Sequence, residues 1–248
     1  AIVNLLQLQP HERVSAVLKA HLEGKKHLFM TTSRGTVKRT DISEFQNIRR
    51  SGLIAQKMTE GDELKWVLAT TGNDEIFILS KKGKAIRFKE EEVRSMGRAA
   101  AGVRGIRLAP NDFVVEAAAV SSPETSELLV VMENGLGKSS PVSLYRLQGR
   151  GGSGVKAAQL TAKTGDIVGG YIRLPEEEAD LLCISRQGKA IRMKLSDIPS
   201  RGRATQGVIV MRLDDGDKVA SMSVVSHESG EMTDTADDTP QAEEDKEE

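Results

Sequence analysis

The chain is organised around a unit that recurs about every fifty residues. Each recurrence carries an acid, any residue, and then Val or Leu, and successive acids are 50, 50, 54 and 51 residues apart. A turn glycine follows an apolar run in four units, and a landmark glycine comes 17 or 19 residues later. A period of this length indicates a propeller or a solenoid, because no single unit can bury its apolar face alone. The acids are Glu12, Asp62, Asp112, Asp166 and Asp217, the turn glycines are Gly35, Gly83, Gly135 and Gly188, and the landmark glycines are Gly52, Gly102, Gly154 and Gly207.

Each unit has the residue pattern of short β-strands. The apolar run before each turn glycine, such as 76–79, is typical of a strand buried on both faces. After the glycine, apolar and basic residues alternate in 85–89 and 190–194, so one face is expected to pack inward and the other to present cations to water. Residues 208–213 predict a further strand, and the acid motif opens the next. About four short strands per unit are typical of a propeller blade, and the hairpin-like turns favour a propeller over a solenoid of parallel coils.

Composition excludes several other classes of protein. With 248 residues, 38% of them hydrophobic, the chain is long enough to bury a substantial core. It contains no membrane-spanning stretch and no signal-peptide pattern, which predicts a cytoplasmic protein. Its single cysteine, Cys183, lies in an apolar run and predicts a buried, unreactive thiol, and its four histidines lack metal-ligand spacing. We therefore expect no metal site and no cofactor in this chain.

The net charge of -1 conceals a strong division along the chain. Residues 227–248 hold ten acids and one base, a charge of -9, which leaves +8 for residues 1–226. The acidic segment has no apolar periodicity, so it cannot offset the entropy of ordering and is expected to be disordered. A basic folded body joined to an acidic tail is typical of a nucleic-acid-binding protein with an internal competitor.

Basic residues recur at equivalent places of the unit, on the strand after the turn glycine and between that glycine and the landmark glycine. Solubility alone is the simpler explanation of any single cation on an exposed strand or loop. As an ensemble, cations in phase on a closed array form a belt that matches the phosphates of a duplex. Aromatic residues, 3% of the chain, are too few to favour single-strand binding by base stacking. The predicted DNA contacts are Lys38, Arg39, Arg49, Arg50, Arg87, Lys89, Arg94, Arg98, Lys138, Arg146, Arg150, Arg192, Lys194, Arg201 and Arg203.

Several motifs resemble those of one known family. The turns of the form Gly-x-(Ala/Val)-x-(Lys/Arg), the segments 94–97 and 102–108, and the acidic tail are similar to the C-terminal domain of DNA gyrase A. The segment 203–209 is an especially close match to the last unit of that domain. The resemblance covers residues 1–226, and the tail matches in character only. The related protein of topoisomerase IV has a similar but shorter and more degenerate domain and is a less good match.

The resemblance implies an all-β fold, a β-pinwheel of propeller-like blades that exchange strands with their neighbours, followed by a disordered acidic tail. It implies a domain that wraps double-stranded DNA around a basic rim without reading its sequence. Such a domain is a non-catalytic part of DNA gyrase, and it works with the N-terminal breakage-reunion domain of gyrase A and with gyrase B in an A2B2 enzyme. That enzyme uses ATP and Mg to introduce negative supercoils, and it acts in the bacterial cytoplasm, at the nucleoid.

Two features depart from the family pattern. Residues 3–8 align with 208–213, so the chain is expected to be a fragment: a pinwheel domain of 1–226 with a partial first unit (1–20) and four repeats of about fifty residues, then the tail of 227–248. The family's box, Gln-Arg-Arg-Gly-Gly-Lys-Gly, belongs to a first blade that is missing here, and the third repeat holds a degenerate box with five of the seven positions. Its glycines would let backbone N–H groups approach phosphate, and a plain glycine-rich connection between strands is an equally good explanation. The degenerate box is Gln148, Gly149, Arg150, Gly151, Gly152, Ser153 and Gly154.

No catalytic role is predicted for the chain itself. By resemblance, the tyrosine that cuts DNA belongs to a separate domain, whereas Tyr145 and Tyr171 lie within the repeats. The recurring acids are one per unit, too far apart to share a metal ion, and accepting backbone N–H bonds at a turn is their expected role. We therefore expect a DNA-wrapping part of an ATP-dependent type II topoisomerase. The alternatives are a β-propeller that serves as a protein-interaction module and the corresponding C-terminal domain of topoisomerase IV.

Overall fold

Four antiparallel sheets follow one another along the chain in the computed structural model, which describes residues 14, 16–18, 22–47 and 52–226. Each sheet is built around a hairpin whose two strands are joined at one of the turn glycines. The strands are β1 (His27–Thr32), β2 (Thr36–Asp41), β3 (Leu64–Thr70), β4 (Glu75–Ser80), β5 (Lys84–Lys89), β6 (Val103–Arg104), β7 (Val114–Val120), β8 (Glu127–Met132), β9 (Leu136–Pro141), β10 (Val155–Lys156), β11 (Ile167–Arg173), β12 (Ala179–Ser185), β13 (Ala190–Lys194), β14 (Val208–Ile209) and β15 (Val219–Ser226). Short 3-10 helices follow the hairpins at Ile42–Phe45, Glu90–Glu92, Val142–Leu144 and Leu195–Asp197.

The sheets exchange strands along the chain. Sheet A has the order β3-β1-β2-β6, sheet B the order β10-β5-β4-β7, and sheet C the order β11-β8-β9-β14, while sheet D consists of β13-β12-β15 within the described residues. In sheets A, B and C the fourth strand is a two-residue segment from the loop that follows the next hairpin. The prediction of repeated blades of about four strands is confirmed, and so is the exchange between neighbours that the resemblance implied.

The apolar core lies between successive sheets. On β4, Ile76 and Ile78 pack in a cluster with residues of sheet A. The alternate residues, Phe77 and Leu79, pack in a second cluster with residues of sheet C. Strand β8 divides its side chains in the same way between sheets B and D. Because both faces of the middle sheets are covered, their first strands are continuous apolar runs, as the sequence predicts.

Two of the recurring acids, Asp62 and Asp112, close the hairpin turns of their sheets. Asp112 accepts a hydrogen bond from the Ser80 hydroxyl at 2.7 Å and from the backbone N–H of Lys82 at 2.9 Å. Asp62 makes the equivalent contacts with the first hairpin turn. Each acid stands just before the third strand of its sheet, so it ties that strand to the turn of the hairpin that it joins. The predicted role of these two acids as acceptors of backbone N–H bonds is confirmed.

Three of the four landmark glycines stand where a loop packs tightly on the preceding sheet. Gly102, Gly154 and Gly207 have φ values of 101°, 67° and 82°, which disfavour residues with a Cβ atom. A Cβ atom on Gly154 would lie 2.3 Å from the carbonyl oxygen of Ala85 on β5. The fixed spacing of these glycines therefore records a repeated close approach between backbone segments.

Two strand predictions are wrong in detail. Residues 85–89 do not alternate between core and water, because β10 and the loop that contains it cover β5 and bury its four inner residues. The alternation predicted for 190–194 is confirmed on β13. Residues 208–213 are a strand only over the two residues of β14. The predicted tail, 227–248, and all but four residues of the predicted partial unit, 1–20, lie outside the described residues.

Candidate nucleic-acid interface

Three inter-sheet loops carry most of the exposed arginines of the described chain. They are loop B (90–113), loop C (142–166) and loop D (195–218), and each connects a hairpin to the third strand of its sheet. Near its start each loop forms a parallel bridge with the preceding sheet, and further on it supplies that sheet's fourth strand. The bridged pairs are Ser95 with Arg39, Leu147 with Arg87, and Ser200 with Ser139. Each loop is therefore fixed to a neighbouring sheet at two points.

Basic residues occupy equivalent positions on these loops. Counted from the landmark glycine of each loop, they stand eight or four residues before it and two or five residues after it. Positions that repeat on successive sheets place their side chains in rows across the blades. The rows are Arg94 and Arg146; Arg98, Arg150 and Arg203; Arg104 and Lys156; and Arg107 and Arg212. We call these the loop rows; Arg98 and Arg203 are partly exposed, and the other members are exposed.

Four members of the loop rows were missing from the predicted contacts. These are Arg104, Arg107, Lys156 and Arg212, which lie just after the landmark glycines. Their constant distance from those glycines is visible in the sequence and is the signal that identifies them. The predicted contacts all lie before the landmark glycine of their unit, where basic residues are more numerous.

Arg150 lies in the middle of the longest loop row. Its backbone N–H donates to a carboxylate oxygen of Glu92 at 2.9 Å, and its Nε donates to the carbonyl oxygen of the same residue at 3.0 Å. Its Nη1 donates to the carbonyl oxygen of Arg104 at 3.2 Å. The side chain is exposed, and these contacts use only two of the five N–H donors of a guanidinium. Arg150 can therefore hold its loop and still reach an added phosphate.

The glycine-rich segment 148–154 packs on loop B. Gly151 donates its N–H to the carbonyl oxygen of Gly105 at 2.6 Å, and the carbonyl oxygen of Gly152 accepts from the N–H of Arg107 at 2.8 Å. Gly151 has a φ of 79°, so this turn also requires glycine for its own geometry. These contacts support a structural reason for the glycines. The predicted approach of their backbone to phosphate stays a prediction.

Lys38 and Lys138 are not surface cations, and their predicted contact with DNA is wrong. Both residues are completely buried. The ammonium group of Lys138 donates to the carbonyl oxygens of Gly202 at 2.8 Å and Arg203 at 2.6 Å. Burial lowers the pKa of both lysines, to about 8 for Lys138. The reason is the same in both blades: the next inter-sheet loop covers the strand on which the lysine lies.

Arg87 is also buried, so its predicted contact with DNA is wrong. Its Nε lies 3.2 Å from a carboxylate oxygen of Glu75, and its Nη1 donates to the carbonyl oxygen of Val142 at 3.2 Å. Loop C covers this arginine from the side of the next unit. The apolar and basic alternation of β5 therefore marks a buried ion pair between strands and not a water-facing row.

The remaining predicted contacts differ in exposure. Arg39 is half-buried on β2, and Arg192 is exposed but lies 2.6 Å from a carboxylate oxygen of Asp180. Arg49 and Arg50 lie outside the described residues. Which of these cations touch DNA stays a prediction. The exposed members of the predicted set, besides Arg192, are Lys89, Arg94, Arg146, Arg150, Lys194 and Arg201.

Two residues of types that can act as nucleophiles, Tyr145 and Cys183, are buried in the core. The Tyr145 ring is buried and packs edge-on against Phe77 with the ring centroids 5.0 Å apart, and burial raises the pKa of its hydroxyl. Burial likewise raises the pKa of the Cys183 thiol to about 11. Within the described ranges, no three His, Cys, Asp or Glu side chains come together as a metal site. The described residues also contain no helix with the length and apolar character needed to span a membrane.

Comparison with protein families identifies the repeat. The model of the DNA gyrase C-terminal domain, a beta-propeller family, matches residues 26–71, 74–121, 126–172 and 179–226. Each matched segment contains one hairpin together with the third strand of its sheet. The family unit therefore coincides with the repeat that the landmarks define.

Two curated relatives share about two fifths of the aligned residues. The DNA gyrase A protein of Aminobacterium colombiense is 41% identical over 230 residues, which cover 93% of this chain and 28% of that protein. The DNA gyrase A protein of Staphylococcus epidermidis is 42% identical over 229 residues, which cover 92% of this chain and 25% of that protein. The chain thus spans about a quarter of the length of the curated relatives that it matches.

Solved structures share the fold. A DNA gyrase A C-terminal domain superposes with a TM-score of 0.76 at 27% identity. The match covers 90% of this chain and 74% of the chain of that structure. A C-terminal domain of DNA topoisomerase IV superposes with a TM-score of 0.81 at 23% identity. This match covers 91% of this chain and 70% of the chain of that structure. The second likeness concerns the fold alone, because its sequence identity is low.

Proposed function

The chain belongs to the DNA gyrase C-terminal domain family, and on this basis we propose that it binds and bends double-stranded DNA along its inter-sheet loops without reading the base sequence. The role is a non-catalytic one within a type II topoisomerase. The cations of the loop rows make the contacts, and the stack of sheets sets the path of the duplex.

The observation that carries this proposal is the repetition of cations on loops B, C and D. A duplex presents phosphates at regular intervals, so a regular series of cations can contact many of them together. The row of Arg98, Arg150 and Arg203 extends over three loops. Because the blades of a propeller-like array are arranged around an axis, a duplex that follows such a row must bend.

The chemistry of the rows supports binding without base readout. Contacts from Arg and Lys to phosphate fix the position of a duplex and carry no sequence information directly. Every member of the loop rows is Arg or Lys, and only 3% of the chain is aromatic. A single strand bound without sequence preference is usually held by stacking on aromatic side chains. The rows are thus better suited to the backbone of a duplex.

Bending requires several contacts at once. Bending a site of about 20–30 base pairs costs on the order of 1–6 kcal/mol by elastic estimates. Each phosphate contact releases condensed counterions and contributes favourably, most strongly at low salt. One cation cannot offset the bending cost alone, whereas cations repeated on successive blades can do so together.

Within the full-length protein, wrapped DNA would present a duplex segment to the N-terminal breakage-reunion domain of gyrase A. That domain and gyrase B, in an A2B2 enzyme, would then use ATP and Mg to pass one duplex through another and introduce negative supercoils. This chain itself would hold no cofactor, and the enzyme would act in the bacterial cytoplasm, at the nucleoid.

Duplex binding over a series of salt concentrations tests the proposal. For about six neutralised phosphates, the logarithm of the affinity should fall with the logarithm of salt concentration at a slope near -5. Replacing Arg98, Arg150 and Arg203 together by Ala should reduce the magnitude of that slope by about 3. A matched control replaces three exposed cations outside the loop rows, Lys65, Lys163 and Arg186, and should change the slope little.

Three outcomes would contradict the proposal. The first is a flat salt response, and the second is a strong preference for one duplex over scrambled sequences of the same length. The third is an equal loss of slope in the loop-row variant and in its matched control. Failure to bind any duplex at low salt would instead favour a protein-interaction module.

A further inference from the structure

Two buried lysines are held by backbone carbonyl groups. Lys38 and Lys138 have no exposed surface, and neither forms an ion pair with a carboxylate in the described part of the chain. A buried charge is costly unless hydrogen bonds or an opposite charge compensate it. Here the compensation comes from carbonyl oxygens of the main chain. The hydrogen bonds to these carbonyl groups therefore offset the cost of burying each ammonium group, and they hold the carbonyl groups in place.

Both lysines bind the loop of the next unit, Lys138 through two carbonyl groups and Lys38 through one. Lys38 lies three residues after its turn glycine, and its ammonium group donates to the carbonyl oxygens of Ala55, at 2.6 Å, and Arg98. Lys138 lies at the same position of its unit and donates to the carbonyl oxygens of Gly202 and Arg203. The contacted residues therefore include Arg98 and Arg203, two equivalent members of one loop row.

The unit between them lacks this lysine. Ile86 stands at the same position on β5, and the loop above it carries Arg150. That loop is held instead by the contacts of Arg150 with Glu92 and Arg104. Arg98 and Arg203 make fewer contacts of this kind: Arg203 donates to one carbonyl oxygen, and Arg98 lies 3.9 Å from a carboxylate oxygen. In the two units where a buried lysine holds the loop, the loop arginine makes fewer hydrogen bonds that hold it.

We propose that Lys38 and Lys138 are positioning residues for DNA binding, which fix loops B and D by their carbonyl groups and thereby set where Arg98 and Arg203 meet the phosphates. The proposal rests on the function proposed above. Neither lysine touches DNA. Each acts through the backbone of an arginine whose side chain does.

Physical chemistry favours this role for a lysine. A hydrogen bond from an ammonium group to a carbonyl oxygen is stronger than a neutral one, and each lysine makes two such bonds. Fixing the backbone at the arginine limits the directions that its side chain can take before DNA arrives. Less conformational freedom is then lost on binding, which increases affinity without a new contact.

Hydrogen exchange tests the loop-holding step without DNA. The Thr205 N–H donates to the carbonyl oxygen of Gly202, which is also bound by Lys138, and the Gln159 N–H donates to the carbonyl oxygen of Thr205. In Lys138→Met, both amides should exchange about tenfold faster, because loss of the ammonium group loosens the loop. The amide of Gly151, in the loop without a lysine, should be unaffected. Lys163→Met, which removes an exposed charge, serves as the control.

A double-mutant cycle on DNA affinity tests the positioning step. Lys138→Met should weaken duplex binding about fivefold when Arg203 is present and less than twofold when it is Met, because residues that act together are not additive. Arg203→Met should reduce the magnitude of the salt slope by about 1, whereas Lys138→Met should leave it unchanged. A lysine that only stabilises the fold would give the same factor in both backgrounds.

The outcomes separate this proposal from the proposed function. Unchanged exchange at Thr205 and Gln159 in a folded Lys138→Met variant would overturn the loop-holding step, whatever DNA does. Additive effects in the cycle would overturn the positioning step. If the wild-type chain bound no duplex, the proposed function would fail and the positioning step with it, while the exchange result would stand by itself. If Lys138→Met failed to fold, Lys138→Gln, which keeps an uncharged donor one bond shorter, should fold and weaken binding less than fivefold.

Discussion

The hydroxyl group of Ser80 lies 2.7 Å from a carboxylate oxygen of Asp112, although the two residues are 32 positions apart. Asp112 also accepts from the backbone N–H groups of Lys82 and Phe113, each at 2.9 Å. One buried carboxylate thus joins the turn of a hairpin to the start of the strand that pairs with it. These three contacts of Asp112 all stabilise the fold.

Replacing Asp112 by Ala should destabilise the domain by about 2–3 kcal/mol, because it leaves buried donors without an acceptor. Asp166→Ala is the matched control. Its turn carries Met132 where sheet B has Ser80, and the Asp166 carboxylate is held mainly by Lys82 Nζ at 2.8 Å, near the surface. That change should cost less than about 1 kcal/mol. Urea unfolding of the three proteins measures the difference, and equal losses would contradict this account of the acids.

A landmark glycine and a turn glycine allow a second comparison of stability. Gly154 and Gly188 both have positive φ, but a Cβ atom on Gly188 would meet nothing within 4 Å, whereas one on Gly154 would clash with Ala85. Gly188→Ala should therefore cost about 1–2 kcal/mol, from backbone strain alone. Gly154→Ala should cost roughly 1–3 kcal/mol more, because the loop must also move away from β5. Thermal or urea unfolding gives both values, and similar losses would show that the clash relaxes freely.

The blades could be predicted from the sequence because each landmark has a cause that repeats from unit to unit. The turn glycines have a positive φ, Asp62 and Asp112 accept N–H groups of their own hairpin turns, and three landmark glycines meet the preceding sheet in the same way. Contacts that repeat from unit to unit require the same residue at a fixed spacing, and this spacing is visible in the sequence. The residues of the loop rows are readable for the same reason, since they keep a constant distance from the landmark glycines.

The burial of the strand cations could not be predicted in this way. Arg87 and Arg192 both lie four residues after a turn glycine, yet Arg87 is buried and Arg192 is exposed. Alternation along a strand separates its two faces but does not say whether either face meets water. In sheets A, B and C, a loop from the next unit covers the strand, and that contact depends on the stacking of whole blades. It has no signature within one strand.

The stability of the domain should fall as pH rises from about 4.5 to about 8, because of one half-buried carboxyl group on β7. Burial between β7 and β11, beside Leu79 and Gly170, raises the pKa of Glu116 from 4.5 to about 8. The folded state therefore holds more protons than the unfolded state in this range, and raising the pH favours unfolding. Glu116→Gln removes the ionisable group, so the variant should gain about 1–3 kcal/mol of stability relative to wild type between pH 5 and pH 8.5. A constant difference in the free energy of unfolding across that range would contradict the assignment.

Removing residues 227–248 should tighten duplex binding. This segment carries -9, which competes with phosphate for a body of +8. The effect should decrease as salt rises, because the competition is screened over about 8 Å at physiological ionic strength. Fluorescence anisotropy with a labelled duplex measures both affinities. A tail of equal length with its ten acids replaced by Gln is the control, and it should behave as the deletion does.

Wrapping can be separated from binding by measuring the shape of the DNA. A duplex of about 150 base pairs is roughly one persistence length, so it is nearly straight on average when free. Saturation with the protein should bring its ends together, which end-to-end energy transfer reports. Arg150 stands at the centre of the longest loop row, between contacts on loops B and D, so its loss should interrupt the path of the duplex in the middle.

Arg150→Ala should therefore reduce bending more than Lys163→Ala, which removes an exposed cation beyond the degenerate box. Arg150→Lys should give an intermediate result, because it keeps the charge but loses the planar fork that holds Glu92 and Arg104 in place. All three variants are compared at saturating protein, so that differences in affinity do not enter. Equal bending by Arg150→Ala and Lys163→Ala would remove Arg150 from the path, and a straight duplex at saturation with the wild-type chain would contradict wrapping itself.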